Sequence, residues 1–189
     1  MIVAERTLDV APEVPKRAHL ARLVLAEGIS VAGDWVLITA ASIAVFRHTN
    51  STVAVSILLA LVALPTILLG PIAGAMADRF DRRKLMIGAD LLTAAVLLIG
   101  IAMSALGFTL ATVYGAVVVV NVLATFHRPA SEALLPAVAG DNNLGRANSM
   151  LRTSTRLAMI FGPALGSVFM STGGFSLVLA ADAVSFLVS

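Results

Sequence analysis

The 189-residue sequence contains no cysteine, one tryptophan and one tyrosine, and charged residues make up only 13% of it. The lack of cysteine excludes disulfides, thiolate metal sites and thiol nucleophiles. The sequence contains neither a G-x-x-x-x-G-K-[ST] phosphate loop nor an H-E-x-x-H zinc motif, and its three histidines lie in different segments. These absences predict that the protein is not an enzyme and that it uses no metal or organic cofactor.

Apolar residues make up 59% of the sequence. A soluble domain averages roughly 45 to 50% apolar and about 25% charged residues, so this composition predicts an integral membrane protein that is embedded in the lipid bilayer. The formal net charge is only +2, and no basic stretch alternates with aromatic residues. We therefore expect no binding to nucleic acid.

Six apolar windows follow a polar N-terminal tail. A membrane-spanning helix needs about 20 apolar residues, and lipid-facing backbone must satisfy its hydrogen bonds within its own segment, so each window predicts a helix. The windows are Leu20 to Phe46, Val53 to Ala77, Lys84 to Leu106, Phe108 to Phe126, Ser149 to Ser171 and Phe175 to Ser189. The sequence thus predicts a tail over residues 1–19 and an all-α six-helix transmembrane bundle over residues 20–189.

The sixth window has only 15 residues, which at about 1.5 Å per residue is too short to cross a bilayer. We interpret it as a truncated sixth helix, in a fragment or a truncated gene product. The basic residues indicate the orientation, because Lys and Arg of short loops stay on the cytoplasmic side. Of the 13 Lys and Arg residues, all but Arg47 agree with a cytoplasmic N-terminus.

An internal repeat relates the two halves of the chain at an offset of 92 residues. Gly70, Pro71 and Gly74 correspond to Gly162, Pro163 and Gly166, and Asp90 corresponds to Asp182. Because the offset spans three crossings, the matched helices run in opposite directions, which predicts an inverted 3+3 repeat. Glycines four residues apart also favour close packing of membrane helices.

Charge is concentrated in the stretch GAMADRFDRRKLM, residues 74–86, which carries six charged residues in seven positions between two apolar windows. It resembles the signature loop of the major facilitator superfamily of secondary transporters, approximately G-x-x-x-D-R-x-G-R-[RK]. The matching positions are Gly74, Asp78, Arg79, Arg82 and Arg83. The sequence departs from the family at Asp81, where Gly is more frequent, and this departure affects the geometry of the turn.

Three further stretches, RPASEALLPAV, GPALGS and DAVSFLVS, resemble the branch of this family that contains enterobactin exporters and macrolide efflux proteins. The resemblance implies the N-terminal half of a twelve-helix transporter, with a second six-helix half as a partner outside this chain. It also implies a gate, in which Asp78 faces a helix N-terminus of the second half and Arg79, Arg82, Arg83 and Arg128 surround it. The alternative is that these charges only fix the topology.

Ionisable groups within the bilayer are costly and therefore indicate function. Glu27 and Asp34 lie two turns apart on one face of the first helix, and Asp34 lies near mid-membrane. Burial disfavours the charged form of a carboxylate, as a proton carrier requires. We expect Asp34 to bind the proton or a cationic substrate, unless it only forms an ion pair that stabilises packing. For Glu27 we expect an ion pair with Arg156 or direct contact with substrate.

Other polar residues in the helices admit simpler interpretations. Asp90 and Asp182 are expected near the starts of their helices, where helix dipoles or snorkelling accommodate them, and a role in transport is the alternative. Asn121 either lines a cavity or bonds to a neighbouring helix. Trp35 either stacks on a substrate or packs against lipid or protein.

The resemblance therefore implies a multi-pass transporter of the plasma (inner) membrane that moves a drug-like or siderophore-like molecule outward by alternating access. The expected driving force is the proton gradient. The alternatives are a truncated, non-transporting half-bundle, a module that binds another chain, and an importer of the same fold.

Overall fold

The computed structural model describes residues 16–107, 109–139 and 143–188. These residues are helical except for the short connections between successive helices. Most of the predicted N-terminal tail and the last residue of the predicted sixth helix lie outside this described part. The six helices are α1 (Lys16–Thr49), α2 (Thr52–Arg79), α3 (Arg82–Leu106), α4 (Leu110–Ala139), α5 (Leu144–Thr172) and α6 (Gly174–Val188). The predicted all-α bundle is confirmed.

Four of these helices, α1 to α4, are long and apolar enough to span a membrane. Helix α5 has the length, with 29 residues, but its N-terminal half carries Arg146, Arg152 and Arg156, which lower its mean hydropathy. Helix α6 has only 15 residues within the described chain. Many large apolar side chains on the outside of the bundle are exposed, for example Ile67 at 70% and Ile160 at 67%, as expected for a surface that faces lipid or another bundle.

Helix α4 is longer than the sequence predicted. The prediction ended it at Phe126, before Pro129 and Pro136, but the helix runs through both prolines to Ala139. Neighbouring helices let a membrane helix tolerate proline. Here Leu135, which follows Pro129, and Ala139, which follows Pro136, are buried against the start of α1 and α5. The extra three turns bring into the bundle a stretch that was predicted to be a loop.

The helix boundaries support the inverted repeat. Helices α2 and α5 begin at residues 52 and 144, and α3 and α6 begin at residues 82 and 174, so both pairs are offset by the 92 residues predicted from the sequence. The packing follows the same relation, because α1 packs against α5 and α6 while its counterpart α4 packs against α2 and α3. Helices α1 and α4 therefore form the centre of the bundle.

Two apolar clusters form the core. The larger one lies towards the α1–α2 connection and is built mainly from the second half of α1, the first half of α4 and the residues of α6 that pack against them. The smaller one contains Leu20, Val24, Leu135, Ala139, Ala147 and Leu151, from the start of α1, the end of α4 and the start of α5. Between the two clusters, α1 and α4 carry buried polar residues.

The two copies of the predicted glycine packing motif have different surroundings in the described bundle. A Cβ atom on Gly162 would lie 2.6 Å from Trp35 Cβ, and one on Gly166 would lie 2.7 Å from the Val36 carbonyl oxygen, so both glycines permit close approach of α1. Beside Gly70 and Gly74 a Cβ atom would meet no atom within 4 Å, and Pro71 is exposed. The motif on α2 faces outward because the described bundle has no helix against that face.

Candidate functional site

A layer of buried polar side chains crosses the bundle between the two apolar clusters. We call it the polar layer, and it comprises Glu27, Ser30 and Asp34 of α1, Asp90 and Thr93 of α3, His127, Arg128 and Ser131 of α4, and Asp182 and Ser185 of α6. Arg128 is the exception in burial, since half of its side chain is exposed. The layer holds four carboxylates at a depth where isolated charges are costly.

His127 links three helices within this layer. Its Nε2 atom lies 3.2 Å from Asp90 Oδ1 on α3, and its Nδ1 atom lies 3.9 Å from Glu27 Oε2 on α1. The first distance permits a hydrogen bond, whereas the second is that of an ion pair without one. Ser131, one turn further along α4, donates a hydrogen bond of 2.9 Å to the same Glu27 oxygen.

The ion pair predicted between Glu27 and Arg156 is wrong. Glu27 instead contacts Ser131 and His127, as the longer α4 places these residues opposite it. Arg156 lies on α5 with its side chain exposed, and within the described residues it forms no ion pair. Its candidate role in binding substrate remains a prediction.

Asp34 lies close to the middle of α1, and its Oδ2 atom is 3.6 Å from Arg128 Nη2. Arg128 thus forms its ion pair inside the bundle, and its expected part in the charge cluster of the α2–α3 loop remains a prediction. The other oxygen of Asp34 is buried and accepts no hydrogen bond from the described residues. Asp34 thus has an acceptor atom to spare for a proton or a cation.

The dipole and snorkelling interpretations of Asp90 and Asp182 are also wrong. Each is the ninth residue of its helix, more than two turns from the N-terminus, and each is buried. Ser185 Oγ lies 3.4 Å from Asp182 Oδ1, while Asp182 Oδ2 accepts no hydrogen bond from the described residues. Asp182 packs against Gly33, where a Cβ atom would overlap the carboxylate.

A cavity of about 730 Å³ opens beside the polar layer, between α1, α4 and α5. Glu27, Trp35 and Arg128 line it from α1 and α4, together with Glu132 of α4 and Arg152 of α5. The remaining lining is largely apolar and includes Val31, Leu135, Leu144, Leu151 and Met159. A much smaller space of about 10 Å³ lies among Asp34, Asp90 and His127, and Glu27 and Arg128 border both spaces.

Asn121 bonds within its own helix, whereas Trp35 lines the cavity. Asn121 is buried, and its amide nitrogen donates a 2.8 Å hydrogen bond to the Val117 carbonyl of its own helix, so the predicted bond to a neighbouring helix is absent from the described contacts. Trp35 is half-buried and lines the cavity next to Gly162. Its indole is therefore placed where a bound molecule can contact it.

The predicted gate loop is short and exposed. Asp78 and Arg79 form the last turn of α2, and Arg82 and Arg83 form the first turn of α3, so only two residues connect these helices. Acidic groups are disfavoured at a helix C-terminus and basic groups at an N-terminus, which means that Asp78, Arg82 and Arg83 do not stabilise their own helices. Arg82 donates a 2.7 Å hydrogen bond to the Ala133 carbonyl of α4.

Sequence reasoning missed His127 and Ser131. The two residues are four positions apart and share one face of α4, but they lie beyond Phe126, where the predicted helix ended. The sequence signal in favour of a longer helix is the four-residue spacing of His127, Ser131, Leu135 and Ala139, all of them buried, but Pro129 and Pro136 oppose it. Within the described residues no group of three or more acidic residues and histidines is arranged to hold a metal ion.

Comparison with protein families identifies the relatives of this bundle. Residues 23–189 match the model of the Major Facilitator Superfamily. The chain belongs to this family. Its members are transporters and not enzymes, in agreement with the sequence prediction, and the resemblance of the α2–α3 loop to the family signature is confirmed as a family relationship.

Individual relatives are transporters and efflux pumps by name. The chain is 30% identical over 171 residues to the uncharacterized MFS-type transporter YfiS of Bacillus subtilis (strain 168), which covers 90% of this chain and 40% of that protein. It is 26% identical to macrolide efflux protein A of Streptococcus pyogenes, and this alignment covers 76% of this chain and 36% of that protein. It is 32% identical to the multidrug efflux pump Tap of Mycolicibacterium fortuitum, and this alignment covers 84% of this chain and 40% of that protein. No solved structure matches it significantly.

The chain spans about 40% of the length of these relatives. The aligned part of this chain contains the whole polar layer and the cavity that borders it, because the family match runs from residue 23 to residue 189.

Proposed function

We propose that this bundle is one half of a secondary transporter that exports an amphipathic, cationic small molecule in exchange for protons. The substrate binds in the cavity between α1, α4 and α5. The excess of acid in the polar layer carries this proposal: four buried carboxylates face one arginine and one histidine. At least two negative charges then require protons or a bound cation, because unpaired buried charges are strongly disfavoured.

The lining of the cavity supports an amphipathic substrate. Apolar side chains cover much of its wall, and Trp35 supplies an aromatic face. Two carboxylates, Glu27 and Glu132, line it together with Arg128 and Arg152, but the charge of Arg128 is already paired with Asp34. Aromatic rings and carboxylates together favour organic cations. The names of two relatives, a macrolide efflux protein and a multidrug efflux pump, support outward transport of such a molecule.

A second six-helix bundle completes the site in this proposal. The glycines of α2 lie on a face that has no partner in the described bundle, and the exposed Asp78, Arg82 and Arg83 of the α2–α3 loop do not stabilise their own helices. Both features suit a surface that meets another bundle, where Asp78 and the loop arginines act as a gate. The length of the relatives supports the same conclusion. The plasma membrane and a cytoplasmic N-terminus remain part of the proposal, based on the distribution of Arg and Lys.

The test is accumulation of ethidium, a fluorescent lipophilic cation, in cells that express the full-length reading frame containing this chain. The wild-type protein is expected to lower accumulation severalfold, and a protonophore should abolish the effect. Asp34→Asn should also abolish it, since the neutral amide neither takes up a proton nor pairs with a cation. Asp81→Asn is the matched control, because it makes the same change at an exposed helix cap.

Unchanged accumulation with correctly inserted wild-type protein would contradict efflux and favour a half-bundle without transport activity. Raised accumulation would favour an importer of the same fold. Full activity of Asp34→Asn would remove Asp34 from the site while leaving transport itself in place.

A further inference from the structure

Glu27 borders both the large cavity and the small space that contains His127. Its carboxylate lines the large cavity, and its Oε2 atom also accepts the hydrogen bond from Ser131 and faces the ring of His127. The exposed fraction of Glu27 is only 8%, so a ligand that reaches it must come through the cavity. Anything that binds Glu27 from the cavity side therefore changes the surroundings of His127.

The ring of His127 has a carboxylate opposite each nitrogen, Asp90 at Nε2 and Glu27 at Nδ1. A neutral imidazole has one N–H and one lone pair, whereas the imidazolium has two N–H groups. When both carboxylates are ionised, only the imidazolium offers an N–H to each of them, because a neutral ring places a lone pair against one carboxylate. The protonation of His127 and the positions of α1, α3 and α4 are thus linked through its two nitrogens.

We propose that His127 is the binding site for the transported proton and that Glu27 is the group through which a cationic substrate displaces this proton. The inference rests on the proposed function and assigns proton binding and cation binding to different residues. His127 holds the proton, and Glu27 and Asp34 hold the cation.

The exchange balances in atoms and charge. Before the substrate binds, His127 is an imidazolium that donates to Asp90 and faces Glu27. A cation that enters the cavity pairs with Glu27, and the Nδ1–H bond of His127 then breaks, because its carboxylate partner is neutralised. The electron pair stays on Nδ1, and Nε2–H still faces Asp90. The proton leaves the small space beside His127 past Glu27 and Arg128, which border both spaces, and reaches water in the large cavity. One positive charge enters and one leaves.

Besides Asp90 and Glu27, the carboxylate that faces His127 is Asp34, which already pairs with Arg128. From α1 His127 faces Asp34 in addition to Glu27, and from α3 it faces Asp90. Arg128, its neighbour on α4, pairs with Asp34, while Glu132 of α4 and Arg152 of α5 lie on the cavity wall. Asp182 of α6 packs against Gly33 of α1. Helix α2 has no charged residue between Thr52 and Ala77.

The test measures proton release when tetraphenylphosphonium is added to the purified full-length transporter in weakly buffered detergent solution. A pH indicator reports protons, and equilibrium dialysis of the labelled cation reports binding. We expect about one proton released per cation bound in the pH range where imidazole titrates. His127→Gln should bind the cation within about threefold of the wild-type affinity but release at least tenfold fewer protons.

His48→Gln is the matched control, because His48 lies exposed at the end of α1 and its substitution should leave proton release unchanged. If His127→Gln does not bind the cation, Asp90→Asn serves as the second variant. That change removes one of the two carboxylates that favour the imidazolium, so the pH of maximal proton release should fall by about one unit.

The outcomes separate the two proposals. Wild-type release of protons that persists in His127→Gln, or a pH profile unchanged in Asp90→Asn, would overturn the role of His127 and leave proton-coupled export intact. Failure of the wild-type transporter to bind the cation would instead contradict the proposed function, and the role of His127 would fall with it.

Discussion

Gly74 and Gly166 are related by the internal repeat, yet their surroundings differ. A Cβ atom at Gly166 would lie 2.7 Å from the backbone oxygen of Val36 on α1, and backbone cannot move aside easily. Gly166→Ala should therefore lower the free energy of unfolding by about 1 to 3 kcal/mol, the usual cost of overpacking. The measurement is an unfolding titration in mixed micelles, followed by circular dichroism.

Gly88→Ala on α3 is the matched control for this prediction, since no atom lies within 4 Å of its added methyl group and it lies outside the α2 face assigned to the second bundle. Alanine favours a helix over glycine by about 1 kcal/mol, so this variant should be neutral or slightly more stable. Equal destabilisation by the two substitutions would contradict the packing described for α5 and α1.

The individual residues of the site were predictable when a charge lay inside a clear apolar window. Glu27 and Asp34 are examples, because seven residues of separation places both on the face that meets α4. The partners were not predictable. Arg128 and His127 follow Phe126 immediately and were assigned to a loop, so their ion pairs with α1 and α3 depended on a helix boundary that the local sequence does not specify.

At the scale of secondary structure, Asp81 explains how α3 begins directly after a two-residue connection. Its side chain accepts a 3.1 Å hydrogen bond from the backbone N–H of Lys84 and caps the helix. Asp81→Ala should destabilise the first turn by about 1 kcal/mol, and Asp81→Gly, the residue more frequent in the family, by only a few tenths.

Hydrogen exchange of the Lys84 amide measures this effect locally. One kcal/mol corresponds to about fivefold faster exchange in Asp81→Ala, while Asp81→Ser, which retains a capping oxygen, should exchange at nearly the wild-type rate. Exchange that is the same in the alanine variant and the wild type would show that the cap contributes nothing to the start of α3.

The helices themselves were predictable to different degrees. The apolar windows specified six helices, and the offset of 92 residues anticipated that α2 and α5, and likewise α3 and α6, begin at related positions. The extent of α4 was not predictable from local rules, since Pro129 and Pro136 normally indicate a helix end. Burial of Leu135 and Ala139 against α1 and α5 overrides that preference.

At the scale of the whole molecule, two apolar clusters enclose a polar layer that opens into one cavity. The acidic excess of the layer, the apolar wall of the cavity and the outward-facing glycines of α2 were not visible in the sequence, because each depends on which helix faces make contact. The family relationship explains why such a bundle exists, but the identity of the substrate depends on side chains from both halves of a transporter.

The most direct test of proton-coupled export uses the purified full-length transporter in proteoliposomes, with the membrane potential held at zero by potassium and valinomycin. Uptake of labelled tetraphenylphosphonium is measured against an imposed pH gradient. We predict that the cation accumulates in the acidic compartment against its own gradient, that reversing the pH gradient reverses the net flux, and that Asp34→Asn abolishes both. Flux that only follows the gradient of the cation and ignores the direction of the pH gradient would contradict the account.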